Sequence, residues 1–292
     1  MKVKRFVPRF TAFVLAALAL STNTACSFYG ISTSKSEPTS ATGQPSETTQ
    51  PSETERSSDT EAVTDDTDEP DESLNGFITI DDITYYYSNG ALLKDTIVGD
   101  DSEQFYYVNS EGIIDYGYCD GVTVDGVDWT VIDGVASTVE TESDKTLFLA
   151  AKAVGKCTNS SMTKEEKLKS AFDYIKTNYL EGVPHNPPYR EDDWHIVCAN
   201  DIFVRGKGDC YSYGAAFAYM GKAMGCSDCY AVNSGGHGWS EIGGLIYDPE
   251  WSMHSNNYPY YAMSYDEKCD VPYKSSISDG AEWKRKEITI HG

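Results

Sequence analysis

The chain has 292 residues, with 23 Lys and Arg against 46 Asp and Glu, and a formal net charge of −23. That length accommodates one or two domains with appendages, and the acidic excess argues against a nucleic-acid or anionic-lipid partner held by charge. Eight cysteines permit disulfides outside the cytoplasm without fixing how they pair.

The chain opens with a targeting segment. Lys2, Lys4, Arg5 and Arg9 make a basic start, and residues 10–20 form an apolar run too short to span a membrane. Ala25-Cys26 offers a cleavage point. A cysteine directly after a small residue resembles the signal of bacterial lipoproteins and implies lipid on Cys26, although Asn23 stands where that pattern has Leu. The other reading is plain secretion with cleavage near Ala25. On both, residues 1–26 are a signal peptide and the mature protein works outside the cytoplasm, touching a membrane only through a lipid anchor. Residues 27–75 are mostly Ser, Thr, Pro, Glu and Asp. Such a segment cannot bury enough apolar surface to offset its ordering entropy, so a disordered spacer is expected.

Composition changes near Asn75. Residues 83–90 (ITYYYSNG) read as a strand running into a hairpin turn. Residues 105–112 (FYYVNSEG) are a near copy, residues 127–134 (VDWTVIDG) a looser one, and the closing glycines Gly90, Gly112 and Gly134 recur every 22 residues. Residues 76–136 are therefore expected to be stacked β-hairpins. Short Tyr-rich hairpins ending in Gly resemble the cell-wall-binding repeats of choline- and glucan-binding proteins. That resemblance implies ligand-caging aromatics, here Tyr86, Tyr87, Tyr106, Tyr107 and Trp129, although the Gly-Trp pair common there is missing. The alternative is a structural β-collar.

Residues 137–292 form the second unit. Residues 145–154 read as a helix, and Thr163 with Glu166 as a capping box opening another. Residues 182–189 (GVPHNPPY) are irregular. Next comes Gly208-Asp209-Cys210. Asp209 is a natural N-cap, which places Cys210 in the first turn of a helix ending near Gly225, where the helix dipole favours a thiolate. Tyr230 to Asn233 and Gly235 to Ile242 read as strands, and Leu245 to Pro249 as the antiparallel return across a two-residue Gly243-Gly244 turn. That turn sets Trp239 opposite Asp248 and makes His237 and Asp248 diagonal neighbours on one face. Residues 287–290 are expected to add a closing strand. The expected class is α+β, with the Cys-bearing helix on an antiparallel sheet behind the β-hairpin segment.

Cysteine catalysis requires a thiol nucleophile, an imidazole to move the proton and a polar group to orient the ring. Cys210, His237 and Asp248 supply these, with helix-start N–H groups for the oxyanion. The Gly-Asp-Cys helix start, the run Gly-His-Gly-Trp-Ser-Glu-Ile and Tyr-Asp-Pro-Glu-Trp together resemble the transglutaminase-like superfamily over residues 137–260. The resemblance implies a papain-like core and a Cys210, His237 and Asp248 triad. It gives Trp239, Glu241, Pro249 and Trp251 structural positions and reads Asp-Pro-Glu-Trp as a strand. Gly238 stands where that family has Ala. The family's oxyanion side chain lies upstream of the Cys, where Trp194 and Asn200 are candidates.

The expected activity is acyl transfer from an amide in a protein or peptidoglycan peptide through a thioester, with water or an amine as acceptor. The expected partners are that substrate and a cell-wall polymer. No cofactor and no metal is called for, and no calcium-binding motif is visible. The competing reading is a wall-binding or scaffold lipoprotein with an idle triad. Cys226 and Cys229 read as a structural disulfide pair, with Cys198 or Cys269 also involved. His195 reads as a loop residue, and His185 and His254 as loop residues without chemical signal. Tyr258, Tyr260, Tyr261 and Tyr265 read as sheet packing rather than a substrate groove.

Overall fold

The computed structural model describes residues 73–184, 189–276 and 284–290. The signal peptide, Cys26, the spacer up to residue 72 and His185 lie outside them. Among the described residues no helix is long and apolar enough to cross a membrane.

The first part of the described chain is all strand: β1 (Gly76–Ile80), β2 (Ile83–Ser88), β3 (Ala91–Leu92), β4 (Thr96–Gly99), β5 (Phe105–Val108), β6 (Ile113–Ile114), β7 (Asp120–Val124), β8 (Val127–Ile132) and β9 (Val135–Thr138). The turns at Asn89-Gly90 and Asp133-Gly134 have positive φ at both residues (49° and 79°, 50° and 80°). That is the backbone of a tight hairpin whose twist matches its strands. Gly112 has φ 84°, and a Cβ there would lie 2.7 Å from Leu92, so this turn is held to glycine twice over. The three expected hairpins do not stack as equal units, however. β6 does not pair with β5; it joins β2, while β5 pairs with β4 and β9. The result is one sheet built on β1, β2, β3 and β6 and a second in the order β4-β5-β9-β8-β7. The boundary drawn after residue 136 falls inside β9.

Helices follow: α1 (Glu142–Gly155), α2 (Lys164–Asn178), α3 (Trp194–Phe203) and α4 (Cys210–Ala223), with short parallel strands β10 (Leu180–Glu181) and β11 (Lys207–Gly208) between them. α2 opens on the expected Thr163–Glu166 capping box. α1 opens on one of its own, Thr141 with Asp144, so it starts three residues before the apolar run does. α4 is buried on nearly every side, which suits its Ala- and Gly-rich sequence. It packs against α3 and α1 on one side and against a four-stranded antiparallel sheet on the other. That sheet has the order β14-β13-β12-β15, with β12 (Cys229–Asn233), β13 (Gly238–Ile242), β14 (Leu245–Tyr247) and β15 (Arg285–Glu287). The closing strand is present, two residues earlier than expected. α5 (Pro249–His254) and α6 (Tyr273–Ser276) flank the sheet. The architecture is mixed helix and antiparallel sheet, as the α+β expectation has it.

Two expectations fail here. Asp-Pro-Glu-Trp is not a strand. β14 stops at Tyr247, Asp248 caps α5 by accepting from the Trp251 N–H at 3.0 Å, and Pro249 takes the first helical position. Asp followed by Pro favours a helix start, because Pro lacks the N–H a strand would pair and its φ already suits a first turn. The Cys226–Cys229 disulfide is also absent. All seven described cysteines are thiols, and the buried Cys229 directs its S–H to the Cys226 carbonyl at 3.5 Å.

Candidate active site

Cys210 is the first residue of α4. Asp209 caps the helix with Oδ1, which accepts from the Ser212 N–H at 3.1 Å, while the Asp209 carbonyl accepts from the Tyr213 N–H at 2.9 Å. Of the first-turn donors this leaves the N–H groups of Cys210 and Tyr211. The other oxygen of Asp209 accepts from the Tyr189 hydroxyl at 2.5 Å, and the Tyr189 ring lies 4.3 Å from that of Tyr211. The Asn233 amide donates to the Tyr189 carbonyl at 2.8 Å. Tyr189 thus ties the start of α4 to the end of β12.

His237 does not lie in a strand. Its N–H donates to Ser234 Oγ at 2.9 Å and its carbonyl accepts from the Ser234 N–H at 2.9 Å, which makes residues 234–237 a turn; β13 begins at Gly238. The Gly243-Gly244 turn has the expected two-residue register, Ile242 opposite Leu245 and Ser240 opposite Tyr247. Just beyond the end of that ladder the two expected partners meet: His237 Nε2 lies 2.5 Å from Asp248 Oδ2. Cys210 lies near enough to the same imidazole to raise its pKa by hydrogen bonding and charge. With Nε2 held by Asp248, Nδ1 is the ring nitrogen left for the thiol. Cys210 and Asp248 thus both act on the one imidazole of His237. Thiol and ring are partly exposed and the carboxylate is fully buried.

Burial works against a charged imidazole here, but the hydrogen bonds and charges of Asp248 and Cys210 outweigh it and raise His237 from 6.5 to about 10. Below that value the ring carries a proton and stands charged beside the Asp248 carboxylate. The ring is also boxed in by aromatics. Trp251 lies 5.5 Å from it edge-on, Trp239 stacks at 6.1 Å and Tyr273 is tilted at 6.4 Å.

Two features were not foreseen. Tyr273, on α6, donates its hydroxyl to Asp248 Oδ2 at 2.6 Å and packs its ring on Trp239 at 4.9 Å. Asp248 is thus saturated, with His237 and Tyr273 on one oxygen and the Trp251 N–H on the other. A lone tyrosine beyond the recognisable motifs carries no local signal of this role. The second feature is the reason for Gly238. A Cβ there would stand 2.6 Å from Tyr211 Cα, and one on Gly214 would stand 2.6 Å from Trp239 Cα. Helix and strand meet backbone to backbone at the starts of α4 and β13, which leaves no room for an alanine at 238.

No family model, curated protein or solved structure matches this chain.

The remaining candidates scatter. Asn200 donates one of its two amide N–H groups to Thr146 Oγ1 at 3.0 Å. Trp194 is fully buried in the core at the start of α3. Glu241 accepts from Tyr265 at 2.9 Å and pairs with Arg285, and the Trp239 indole N–H donates to the Tyr265 hydroxyl at 3.1 Å. This network anchors β13. Tyr260 is fully buried and Tyr261 packs on Phe172 and Tyr247, so these tyrosines pack as expected. His195 lies on α3 rather than in a loop, stacked on Tyr219; burial lowers it to about 4 and keeps it neutral. His254 also leaves its expected loop, as the last residue of α5.

The aromatics expected to line a wall-ligand site pack as follows. Tyr86 and Tyr106 both pack on Phe77, beside a small core of Val98, Val108 and Ile114. Tyr107 stacks on Tyr118, and Trp129 tilts against Phe105. Tyr87 sits opposite Gly76 in the ladder between β1 and β2.

Proposed function

We propose that the protein is a cysteine-dependent acyl-transfer enzyme acting on an amide in a protein or a peptidoglycan peptide. The observation that carries this reading is one imidazole, His237, held at 2.5 Å by the buried carboxylate of Asp248 and influenced by Cys210 at the start of α4. The papain-like topology implied by the resemblance to the transglutaminase-like superfamily, the secretion or lipid anchoring at Cys26 and the wall association belong to the same proposal.

The thiolate of Cys210 attacks the amide carbonyl carbon, forming the C–S bond and moving the carbonyl electron pair onto oxygen. The N–H groups of Cys210 and Tyr211 stabilise that oxyanion. The oxyanion collapses, the C–N bond breaks and His237 Nδ1 gives its proton to the departing amine, leaving a thioester. Water or a second amine then attacks, His237 takes the proton, and the thiolate leaves with an acid or a new amide as product. Asp248 holds the ring so that Nδ1 faces the sulfur throughout.

The test is mass spectrometry of wall peptides and surface proteins incubated with the protein and with Cys210→Ala. A mass change confined to the unsubstituted protein is expected, as cleavage by water, deamidation or a cross-link. Identical products from both would end the catalytic reading in favour of a scaffold with an idle triad.

A further inference from the structure

Cys210 stands between two residues held by one side chain. Before it, Asp209 Oδ2 accepts from the Tyr189 hydroxyl at 2.5 Å; after it, the Tyr211 ring lies 4.3 Å from the Tyr189 ring. Asp209 Oδ1 is already engaged, accepting from the Ser212 N–H at 3.1 Å and the Ser212 hydroxyl at 3.2 Å. The Tyr189 hydroxyl therefore fixes the second oxygen of the cap. Burial, and after it the hydrogen bond and charge of Asp209, push that hydroxyl well above its usual range, so it stays a donor. A bond to an ionised acceptor is stronger than one between neutral groups.

The main chain of Tyr189 is anchored toward the imidazole. Its carbonyl accepts from the amide of Asn233 at 2.8 Å, and Asn233 is fully buried at the end of β12. The Asn233 side-chain oxygen in turn accepts from the Gly235 N–H at 2.8 Å. Gly235 lies in the turn of residues 234–237, which His237 closes. One tyrosine thus connects the residue before the sulfur to the turn that presents the ring, by a route separate from the seam between α4 and β13.

We propose that Tyr189 is a positioning residue. It fixes Asp209 and Tyr211 against the His237 turn, and so sets where the Cys210 sulfur and the N–H groups of Cys210 and Tyr211 stand relative to the imidazole. Reacting groups keep their geometry only when the residues behind them are themselves locked. The role rests on the acyl-transfer reading, because alignment of sulfur and ring is what the tie serves.

The experiment is iodoacetamide labelling of Cys210 in the full chain, read by peptide mass spectrometry at about pH 6 and about pH 9. At the lower pH only a thiol activated by the imidazole reacts fast; at the higher pH any accessible thiol ionises and reacts. The other titratable groups around the sulfur, His237 and Cys198, are the same in every variant, and burial pushes the Cys198 thiol far up and keeps it neutral. Tyr189→Phe keeps the ring and the main chain and removes the hydroxyl. It should slow labelling about tenfold or more at the lower pH and leave the rate at the higher pH within about twofold. A residue that only packs would lower the melting temperature and move both rates together, or neither. Asp209→Ser reaches the same contact from the other side, since serine still caps the helix but lacks the second oxygen. In that background Tyr189→Phe should change the low-pH rate by less than about twofold. Equal labelling of Tyr189→Phe and the unsubstituted protein, a parallel fall at both pH values, or the full loss persisting in Asp209→Ser would overturn the role. Labelling needs no substrate, whereas the acyl-transfer reading fails separately, on identical products from the unsubstituted protein and Cys210→Ala.

Discussion

Gly238→Ala adds one methyl group at the seam between β13 and α4. The new Cβ would fall 2.6 Å from Tyr211 Cα, 2.7 Å from its Cδ1 and 3.0 Å from its backbone nitrogen. Carbon atoms rest about 3.5–4.0 Å apart, so strand and helix must separate by about 1 Å. Backbone cannot rotate away as a side-chain tip can. Overpacking of this kind costs about 1–3 kcal/mol, and a displacement of about 1 Å between reacting groups costs about 100-fold in rate. Because the seam carries Cys210 on one side and leads to His237 on the other, the spacing between thiol and imidazole is the first to change. The assay is the rate of iodoacetamide labelling of Cys210 against pH, read by peptide mass spectrometry to separate it from the other thiols. The unsubstituted protein should label fast at mildly acidic pH. Gly238→Ala should label slowly there, its profile moving toward an ordinary thiol at about 8.5, with a lower melting temperature. Gly236→Ala is the control, since a Cβ there meets nothing within 4 Å. Identical profiles and melting temperatures for Gly238→Ala and the unsubstituted protein would refute the close-approach argument.

Asp248→Asn keeps a good N-cap for α5 but removes the charge behind the ring; turnover should fall by about 1,000-fold or more while α5 persists. Asp248→Ala should lose the cap as well and melt lower by about 1 kcal/mol, as urea titration of the two variants would show. Tyr273→Phe deletes the hydroxyl bonded to Asp248, a hydrogen bond to a charged acceptor contributing about 1.5–3 kcal/mol. Activity should fall about tenfold or more, and the relieved carboxylate should hold the His237 proton to higher pH, moving the alkaline limb of Cys210 labelling upward; an unmoved limb would reduce Tyr273 to packing. His237 is raised in the folded state, so its contribution to stability is complete below about pH 6.5 and is lost as pH rises through about 10. Urea unfolding across that window should show the decline, and His237→Gln should flatten it.

How much of this can be read from the sequence depends on how local each signal is. Asp209 as cap and Cys210 in the first turn follow from neighbouring residues, and both hold. The pairing of His237 with Asp248 follows because Gly243-Gly244 permits a two-residue turn, and the register of a hairpin is fixed by its turn. The same local logic misreads Asp248-Pro249, where the hairpin return gives way to a helix, because a capping Asp and an N1 Pro outweigh the memory of the strand before them. Tyr273 is unreadable for the opposite reason. Its role exists only when α6 folds back over β13, a tertiary fact with no trace in periodicity or motif. The hairpin segment sits between these cases. Its Asn-Gly and Asp-Gly turns announce themselves, yet the choice of β6 to join β2 rather than β5 is decided by packing around Phe77, Val98 and Ile114.

One carboxyl group both starts α5 and steadies the imidazole, and that makes fraying of a six-residue helix and loss of alignment a single event. The Trp251 amide, bonded to Asp248 Oδ1, is then a reporter on the working population. Each opening that lets its proton exchange with solvent also frees the carboxylate that His237 relies on. Hydrogen exchange at this one amide would count the fraction of molecules ready to react, without any substrate in the tube.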